Sequence, residues 1–425
     1  MSARTATRLV LPVAVLALSV PLAVRSARAA TLCVNPGGTG GCFASIQAAV
    51  DAAASGDVVD VAAGTYVESV DMPPRKRLTL RGAGPGATVI DGNGAAEVLR
   101  FEGPNASPVS IENLEVRNGV TGIYAQAVVN LRLSDCSVAD NERGILLNNR
   151  VKVVMTRCAV AGNFARGAIS LGVTSKLTVV ESAITGNTYD PFFGSGTGGI
   201  SAGGLLTVID STISGNAASG SGGAIHNSFG NLAISGSTIS GNSSAGNGGG
   251  IHLGVIRGTV KISNSTISGN TAAVDGGGIY VDAHRRLNLD HVTIAGNTAT
   301  AGRGGGLFAR TVHSLKPTTS KASLIADNVA PSEPDCSADR VLARDGNLIE
   351  DPTGCTLLTP GGAPLISADP LLGPLQDNGG PTETQALAPG SPAIGVVTSR
   401  GGCRAPDQRG VPRAVPCDLG AYEAP

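Results

Sequence analysis

The hexapeptide STISGN occurs three times in this chain, at residues 211–216, 237–242 and 265–270. Five variants, CSVADN, CAVAGN, SAITGN, VTIAGN and SLIADN, begin at residues 136, 158, 182, 292 and 323. The asparagines that end the eight copies are Asn141, Asn163, Asn187, Asn216, Asn242, Asn270, Asn297 and Asn328. Their spacing of 22 to 31 residues is typical of a repeat architecture, in which each unit is one layer of a longer stack.

Each unit contains three recognisable segments. An alternating segment such as LTVID comes first, the Ile-x-x-Asn turn follows, and a glycine-led segment such as GGGIH closes the unit. Apolar residues at every second position predict short strands, and no unit shows a helical period. A unit of this length cannot bury a core alone, so successive units must stack into a solenoid. Two other repeat folds fit less well. The leucine-rich signature of leucine-rich repeats is missing, and a propeller blade needs about 40 residues, more than these units contain. The sequence therefore predicts an all-β parallel β-helix of about ten coils.

The repeated asparagine is predicted to be structural. Successive coils lie about 4.8 Å apart, so residues at one place in every coil stack into a column. A side-chain amide can accept from one neighbouring coil and donate to the other, as in a polar ladder. A catalytic residue is needed once, whereas this asparagine occurs in every unit. Cys136 and Cys158 share another column and are predicted to be neighbours, either bridged or free.

The composition favours a folded chain that does not bind nucleic acid. The net charge is −1, charged residues are 15% of the chain, and no long run of one charge occurs. Nucleic-acid binding would require a basic footprint. Glycine reaches 60 residues, but the regular recurrence of Ile, Leu and Val argues against disorder.

Residues 1–29 have the order of a secretory signal peptide. Arg4 and Arg8 precede an apolar stretch that is short for a membrane span, and Ala27 and Ala29 form a small-x-small cleavage signal. We expect the mature chain to be exported and not to span a membrane, and the sequence does not decide its oligomeric state.

Eight cysteines fit an oxidising compartment. Their proximity in the sequence predicts three local disulfides, Cys33–Cys42, Cys336–Cys355 and Cys403–Cys417.

Residues 30–56 are predicted to cap the solenoid. The segment that starts at Phe43 has apolar residues on one helical face, and Gly56 is expected to end the helix. Residues 45–68, SIQAAVDAAASGDVVDVAAGTYVE, resemble the cap and first coil of the pectin-lyase-like superfamily of right-handed parallel β-helices. The resemblance implies a right-handed β-helix over residues 57–330 and does not imply a reaction.

Residues 331–425 are expected to form a separate disulfide-containing C-terminal module. The stretch 369–395 and the later segments CRAPDQRG and CDLGAYE resemble the choice-of-anchor tail module of secreted bacterial repeat proteins. In that family the module usually precedes a surface-anchoring signal. No hydrophobic tail or sorting motif follows Glu423, which favours release into the medium over attachment.

No complete catalytic signature is found in the sequence. LDHVTI resembles an Asp-His strand of pectate lyases, which makes Asp290 and His291 weak catalytic candidates; the alternative is a solvated turn. The tryptophan that accompanies this strand in pectate lyases is missing, and no acidic calcium cluster or glycine-aspartate array is evident. We expect no metal ion and no cofactor.

A column of alternating charge is predicted on the outside of the solenoid. Its members in four successive coils are Asp135, Arg157, Glu181 and Asp210. Opposite charges at the strand spacing attract, so a structural ladder is the simpler interpretation, and acid–base catalysis by the carboxylates is the alternative.

A ring column is predicted on the glycine-led strands. If the apolar residue of each strand points inward, alternation turns the next residue outward: His226, His252, Tyr280 and Phe308. We expect these rings to be partly exposed above a floor of Gly250, Gly278 and Gly306, with Asp282 and Arg310 along one edge. Rings beside polar groups suit a sugar or a peptide surface, and a stack of rings without a ligand is the alternative. Two histidines are too few for a metal site.

The leading functional hypothesis is a secreted, non-catalytic protein that binds glycans or cell surfaces. The Ile-x-x-Asn and GGA[I] or GGG[I] blocks over 136–310 resemble the repeats of polymorphic outer-membrane proteins, which are exported adhesins. An extracellular polysaccharide lyase or hydrolase is the second hypothesis, and a structural surface-layer component is the third.

Overall fold

A computed structural model describes residues 29–103, 105–127, 129–254, 258–282, 286–309 and 317–425. The described residues form an all-β solenoid of about 12 turns, with parallel strand pairing and almost no helix. The predicted parallel β-helix is confirmed, with more turns than the ten expected. Nearly all of the predicted signal peptide, residues 1–28, lies outside the described residues.

The strands stack on three faces, which each turn visits in the same order. The first face contains Thr31–Val34, Val58–Val61, Thr79–Arg81, Asn105–Glu112, Val129–Ser134, Lys152–Thr156, Lys176–Val180, Leu205–Ile209 and Leu232–Ser235. The second face contains Gly64–Val67, Thr88–Asp91, Glu115–Arg117, Ser137–Ala139, Ala159–Ala161, Ala183–Thr185, Thr212–Ser214, Thr238–Ser240 and Leu365–Ile366. Three longer strands continue from the first face into the second: Thr259–Ser268, Arg286–Ala295 and Thr318–Ala326.

The third face is built from the glycine-led strands. Its strands are Val70–Met72, Glu97–Glu102, Thr121–Gln126, Arg143–Asn148, Ile169–Leu171, Ile200–Ala202, Ile225–Asn227, Ile251–Leu253, Ile279–Val281 and Leu307–Ala309. A small additional sheet follows the asparagines: Ala217–Ala218, Ser243–Ser244, Thr271–Ala272 and Thr298–Ala299.

The core is a continuous apolar column inside the solenoid. On the third face Ile225 pairs with Ile251, Ile251 with Ile279, and Ile279 with Leu307. All four side chains are fully buried. Stacking of like residues therefore buries an apolar face that no single unit could bury.

One residue with positive φ connects the first face to the second in many coils, and we call this series the turn column. Its members are Asp135, Arg157, Glu181, Asp210, Gly236, Asn264, His291 and Ala322, with φ between 43° and 61°. Gly, Asn and Asp adopt this backbone conformation readily, and longer side chains do so at a cost. The turn directs each side chain away from the core, into a line along the solenoid.

The repeated asparagines form a hydrogen-bonded ladder inside the next turn. The side-chain amide of each donates to the Oδ1 of the asparagine in the following coil, at 2.8 to 3.1 Å. The backbone N–H of the same residue donates to that oxygen as well, as Asn216 does to Asn242 at 3.0 Å. The last amide, that of Asn328, donates to the carboxylate of Asp335 at 2.8 Å.

The N-terminal end of the solenoid is covered by a short α-helix, Ile46–Ala52. The Ser45 hydroxyl accepts from the Ala48 amide and caps the helix, while Ile46, Ala49 and Val50 are buried against the first coils. The helix ends at Ala52 and not at Gly56, because the chain turns extended at Ala53. Among the described residues, 3-10 helices occur at Thr39–Gly41 and Pro191–Phe193.

The solenoid continues beyond residue 330, where the sequence predicted a separate module. The strand Cys336–Ile349 pairs in parallel with strands of the last coil, and Cys355–Leu358 and Leu365–Ile366 pair with it in turn. The boundary was misplaced because proline-rich sequence hides the strand pattern while backbone pairing persists.

The remaining chain forms a tail module that packs against the second face. It contains an antiparallel pair, Leu372–Gln376 and Thr384–Leu387. Leu387, Val397 and Leu419 are buried in a cluster with Leu324 of the solenoid.

Hydrogen bonds join this module to a row of threonines on the second face. The Thr238 hydroxyl donates to the Glu383 carbonyl at 2.5 Å, and the Thr266 hydroxyl donates to Gln408 at 2.7 Å. The module therefore covers the second face of the late coils and leaves that of the earlier coils uncovered.

The structure joins the cysteines in the three pairs expected from the sequence. Cα separations are 4.8 Å for Cys33–Cys42, 5.6 Å for Cys336–Cys355 and 5.9 Å for Cys403–Cys417. Cys136 and Cys158 are buried free thiols in neighbouring coils, and the Cys136 amide lies 3.4 Å from the Cys158 sulfur.

Candidate functional site

The four predicted rings form one column on the third face. The ring centroids of His226 and His252 are 4.6 Å apart with an angle of 69° between planes. Parallel stacking joins His252 to Tyr280 at 5.0 Å and Tyr280 to Phe308 at 5.1 Å. These are the distances at which aromatic rings attract each other, so the column stabilises the stack of coils.

The ring column is less accessible than the sequence suggested. Tyr280 and Phe308 are only 5% and 3% exposed, while His226 and His252 are half-buried. The Arg303 guanidinium lies over the Phe308 ring, 5.4 Å from its centroid. The expected partial exposure is therefore wrong for the two larger rings, which leaves little ring surface for a ligand to stack on.

The glycines beside the rings do not form the floor of a groove. A Cβ on Gly250 would lie 3.2 Å from the Asn270 side chain and 2.7 Å from a backbone oxygen. Gly278 and Gly306 meet Asn297 and Asn328 in the same way. These glycines make room for the asparagine ladder. Asp282 is half-buried near the column, and Arg310 lies outside the described residues.

The weak catalytic candidates Asp290 and His291 lie in a small pocket under the tail module. His291 belongs to the turn column, is 2% exposed, and its Nδ1 lies 2.9 Å from the Asp290 carboxylate. Lys321 contacts the same carboxylate at 3.4 Å. The pocket of about 190 Å³ is lined by these side chains with Lys261 and Arg404. The alternative of a solvated turn is wrong for His291, which the tail module removes from water, whereas the Asp290 side chain stays 36% exposed.

Burial and nearby positive charges favour the neutral form of the His291 imidazole. Burial lowers its pKa below the usual value, the Asp290 hydrogen bond opposes this, and the positive charges of Arg413 and Lys321 lower the pKa further. The Nε2 atom is buried without a hydrogen-bond partner among the described residues. A pocket this small and enclosed does not admit a polymer chain.

The lowered pKa of His291 predicts acid sensitivity. The folded state binds this proton less readily than the unfolded state does. The stability of the folded protein is therefore complete above the unfolded-state pKa of the histidine and falls as the pH drops below that pKa. We expect the thermal midpoint to drop between about pH 7.5 and about pH 5.5, the range around the usual histidine pKa. His291→Asn, which matches the residue type of Asn264 in the same column, should show a smaller drop in calorimetry. Equal drops in both proteins would contradict this role.

An open groove runs along the earlier part of the turn column, and we call it the turn groove. Its volume is about 510 Å³, and its lining includes Ser137, Arg157, Glu181, Asp210, Thr212 and Pro381. Arg157 holds Asp135 through two hydrogen bonds of 2.8 Å and lies 3.9 Å from Glu181. Pro381 belongs to the tail module, so the groove begins where this module stops covering the second face.

The carboxylates of this column are in different electrostatic states. Hydrogen bonds from Arg157 lower the pKa of Asp135. Burial raises the pKa of Asp210, and the negative charge of Glu181 raises it further. Asp210 makes no side-chain hydrogen bond or ion pair with any residue in the described ranges. In the predicted charge column, the charge of Asp135 is thus paired with Arg157, whereas Asp210 at the other end has no cationic partner among the described residues.

Three further carboxylates gather near the last coils. Single oxygens of Asp327, Glu350 and Asp369 all lie within 4.8 Å of one another. Such oxygens are the ligands that calcium prefers. Exposed acidic groups also gather without an ion, so this cluster alone does not establish a metal site.

Sequence reasoning missed a further surface, which we call the aromatic patch. It consists of Phe192 and Phe193, whose rings are in contact, with Arg166 over Phe193 and Arg143 near Arg166. Phe192 is 87% exposed. The available signal was the 29-residue step between Asn187 and Asn216, where the added residues carry adjacent phenylalanines in a chain that has only seven.

Two family models match parts of the chain. Residues 78–220 match the right-handed beta helix region, and residues 264–282 match the Chlamydia polymorphic membrane protein repeat. The chain is a right-handed parallel β-helix. The second match confirms the resemblance to polymorphic-membrane-protein repeats over a shorter stretch than 136–310. No curated protein matches the sequence.

Similar solved structures include several carbohydrate-active enzymes. The pectate lyase Pel9A is 15% identical, with a TM-score of 0.49 and coverage of 93% of this chain and 96% of that one. A mannuronic-acid-specific family 6 polysaccharide lyase from human gut microbiota is 14% identical, with a TM-score of 0.35 and coverage of 74% and 87%. Carrot pectin methylesterase is 10% identical, with a TM-score of 0.30 and coverage of 79% and 88%. Values this low carry no information about the activity of this chain.

None of the helices in the described part of the chain has the length and hydrophobicity needed to cross a bilayer. The disulfides and the polymorphic-membrane-protein-like repeat are consistent with a location outside the cell or on its surface. The resemblance of the tail to choice-of-anchor modules stays a prediction.

Proposed function

We propose that this protein is exported through its signal peptide and binds glycans, without cleaving them, along the turn groove. The observation that supports this most directly is an open groove lined by charged side chains and hydroxyls. Its volume of about 510 Å³ is within the range of small-molecule sites, enough for part of a glycan chain. Arg157 and Glu181 are exposed and can exchange hydrogen bonds with sugar hydroxyls.

Variants of the groove test this proposal. Arg157→Met and Glu181→Gln should each weaken binding of a glycan identified on an array about tenfold, the effect of losing one charged hydrogen bond. Isothermal titration would measure the affinities. Arg81→Met is the matched control. Arg81 forms a similar exposed ion pair with Asp60, with 2.9 Å between the charged atoms, and it does not line the groove. Full affinity in both groove variants would overturn the proposal.

A second candidate function is cleavage of a polysaccharide, which the state of Asp210 favours. Glycosidases commonly pair a carboxylic acid of raised pKa with a second carboxylate, and Asp210 beside Glu181 offers this combination. The same glycans are therefore incubated with the protein and assayed for new reducing or unsaturated ends. Ends that appear with the native protein and not with Asp210→Asn would establish this activity, and no release would support binding alone.

A further inference from the structure

The aromatic patch combines exposed aromatic rings with arginines that lack an ion pair within the described part of the chain. Large rings stand in water, and two half-buried arginines lie beside them without an ion pair to any residue in the described ranges. The rings come from an insertion and Arg143 begins a third-face strand, and none of these residues lines the turn groove. Both features follow from the local structure of the coils that carry them.

The exposed rings are held by an ordered loop. The Asp190 carboxylate accepts from the Phe192 amide at 2.8 Å and begins the short helix Pro191–Phe193. The Tyr189 amide donates to the Ala217 carbonyl at 2.9 Å, and Ser219 donates to the Gly194 carbonyl at 2.8 Å. The loop is thus tied to the following coil, and the exposure of Phe192 is a fixed feature of the surface.

The two arginines come from neighbouring coils. The Arg166 amide donates to the Glu142 carbonyl at 2.7 Å, which places Arg166 next to Arg143. The Arg166 guanidinium stacks on Phe193, 4.6 Å from the ring centroid. Such stacking orients a guanidinium while leaving its N–H edge able to donate.

Neither guanidinium makes a hydrogen bond or ion pair with any described residue. The Nε atoms of both are buried and unpartnered within the described ranges. Burial lowers the pKa of Arg143, the positive charge of Arg166 lowers it further, and the negative charge of Glu142 opposes this in part. Two like charges side by side repel each other, and an anion placed between them would remove the repulsion and satisfy the donors.

We propose that the aromatic patch binds an anionic sugar residue of an acidic polysaccharide. A carboxylate or sulfate of the sugar lies against Arg143 and Arg166, and the apolar face of the sugar packs on Phe192. Rings with an adjacent charge offer one ligand both apolar contact and an ionic contact. The site is separate from the turn groove and does not depend on the function proposed for it.

The test compares three polymers on the full purified chain: polygalacturonate, which carries carboxylates, dextran sulfate, and neutral dextran. We expect tighter binding of one or both anionic polymers than of dextran, and the preferred one identifies the anionic group. Arg166→Met and Phe192→Ser should each weaken this binding by about tenfold or more. Phe192→Ser should leave folding intact, because the side chain is 87% exposed.

Two control variants distinguish this site from a general attraction of polyanions to surface arginines. Arg132→Met removes an exposed arginine outside the patch and should leave affinity unchanged. Arg81→Met removes an exposed arginine that pairs with Asp60 and lines neither the patch nor the turn groove, and it should also leave affinity unchanged. The proposal is overturned if no anionic polymer is preferred, or if Arg132→Met weakens binding as much as Arg166→Met. It is also overturned if Phe192→Ser only dissociates a dimer in sedimentation, since the patch would then be a self-association surface.

Discussion

Replacing Asn242 by alanine should lower the free energy of unfolding by at least about 3 kcal/mol, because each buried polar group left unsatisfied costs about 1–3 kcal/mol. The Asn242 Oδ1 accepts from the Asn216 backbone and side chain at 3.0 and 2.9 Å. Its amide donates to Ile213, Ser240 and Asn270 at 2.9 to 3.1 Å. Alanine replaces none of these bonds, and no water reaches a side chain that is 1% exposed.

Thermal and urea unfolding followed by circular dichroism measure this effect. Asn231→Ala is the matched control: Asn231 is exposed, and its Oδ1 accepts a single bond of 2.9 Å from the Thr259 amide. Its loss should cost no more than about 1 kcal/mol. Native-like stability in Asn242→Ala would show that the ladder does not hold the coils together.

The glycine Gly249 should tolerate no side chain. A Cβ there would lie 2.4 Å from the carbonyl carbon of Thr271 and 2.6 Å from the Gly277 oxygen. Both obstacles are backbone of the next coil, which cannot move without breaking the strand register. We therefore expect Gly249→Ala to destabilise the protein by roughly 3–5 kcal/mol, at the upper end of single substitutions.

The control for this prediction is Gly401→Ala. Gly401 has ordinary φ and nothing within 4 Å of an added Cβ. Its substitution should change stability by less than about 0.5 kcal/mol. A soluble Gly249→Ala protein with the native unfolding midpoint would mean that adjacent coils can separate locally, contrary to the close approach of their backbones.

The repeat made most of the solenoid predictable from the sequence. Period and alternation place Ile251 and Ile279 in the core and His252 and Tyr280 in one column, because strand pairing copies the same geometry from coil to coil. Exposure within that column was not predictable. It depends on neighbours such as Arg303, which stands over Phe308 from a loop that does not follow the alternation.

Contacts between segments that are distant in the sequence also could not be predicted. The Thr238 hydroxyl donates to the Glu383 carbonyl, which is 145 residues away in the sequence, and no local sequence pattern predicts this hydrogen bond. The burial of His291 under the tail module depends on the same docking. The aromatic patch was missed for a different reason. Its phenylalanines lie in an irregular insertion, and a comparison of equivalent repeat positions leaves insertions out.

The asparagine ladder also gives the solenoid an electrical direction. Backbone hydrogen bonds of a sheet run both ways between coils, so their dipoles largely cancel. Along the ladder each Oδ1 accepts from the earlier coil and one amide hydrogen of each asparagine faces the later coil, so the dipoles of the side-chain carbonyls add. The positive end of this array meets the carboxylate of Asp335, as an anion meets the start of an α-helix. A coil that ran in the opposite chain direction would interrupt the ladder. The ladder therefore favours one chain direction for all coils, in addition to stabilising their stacking.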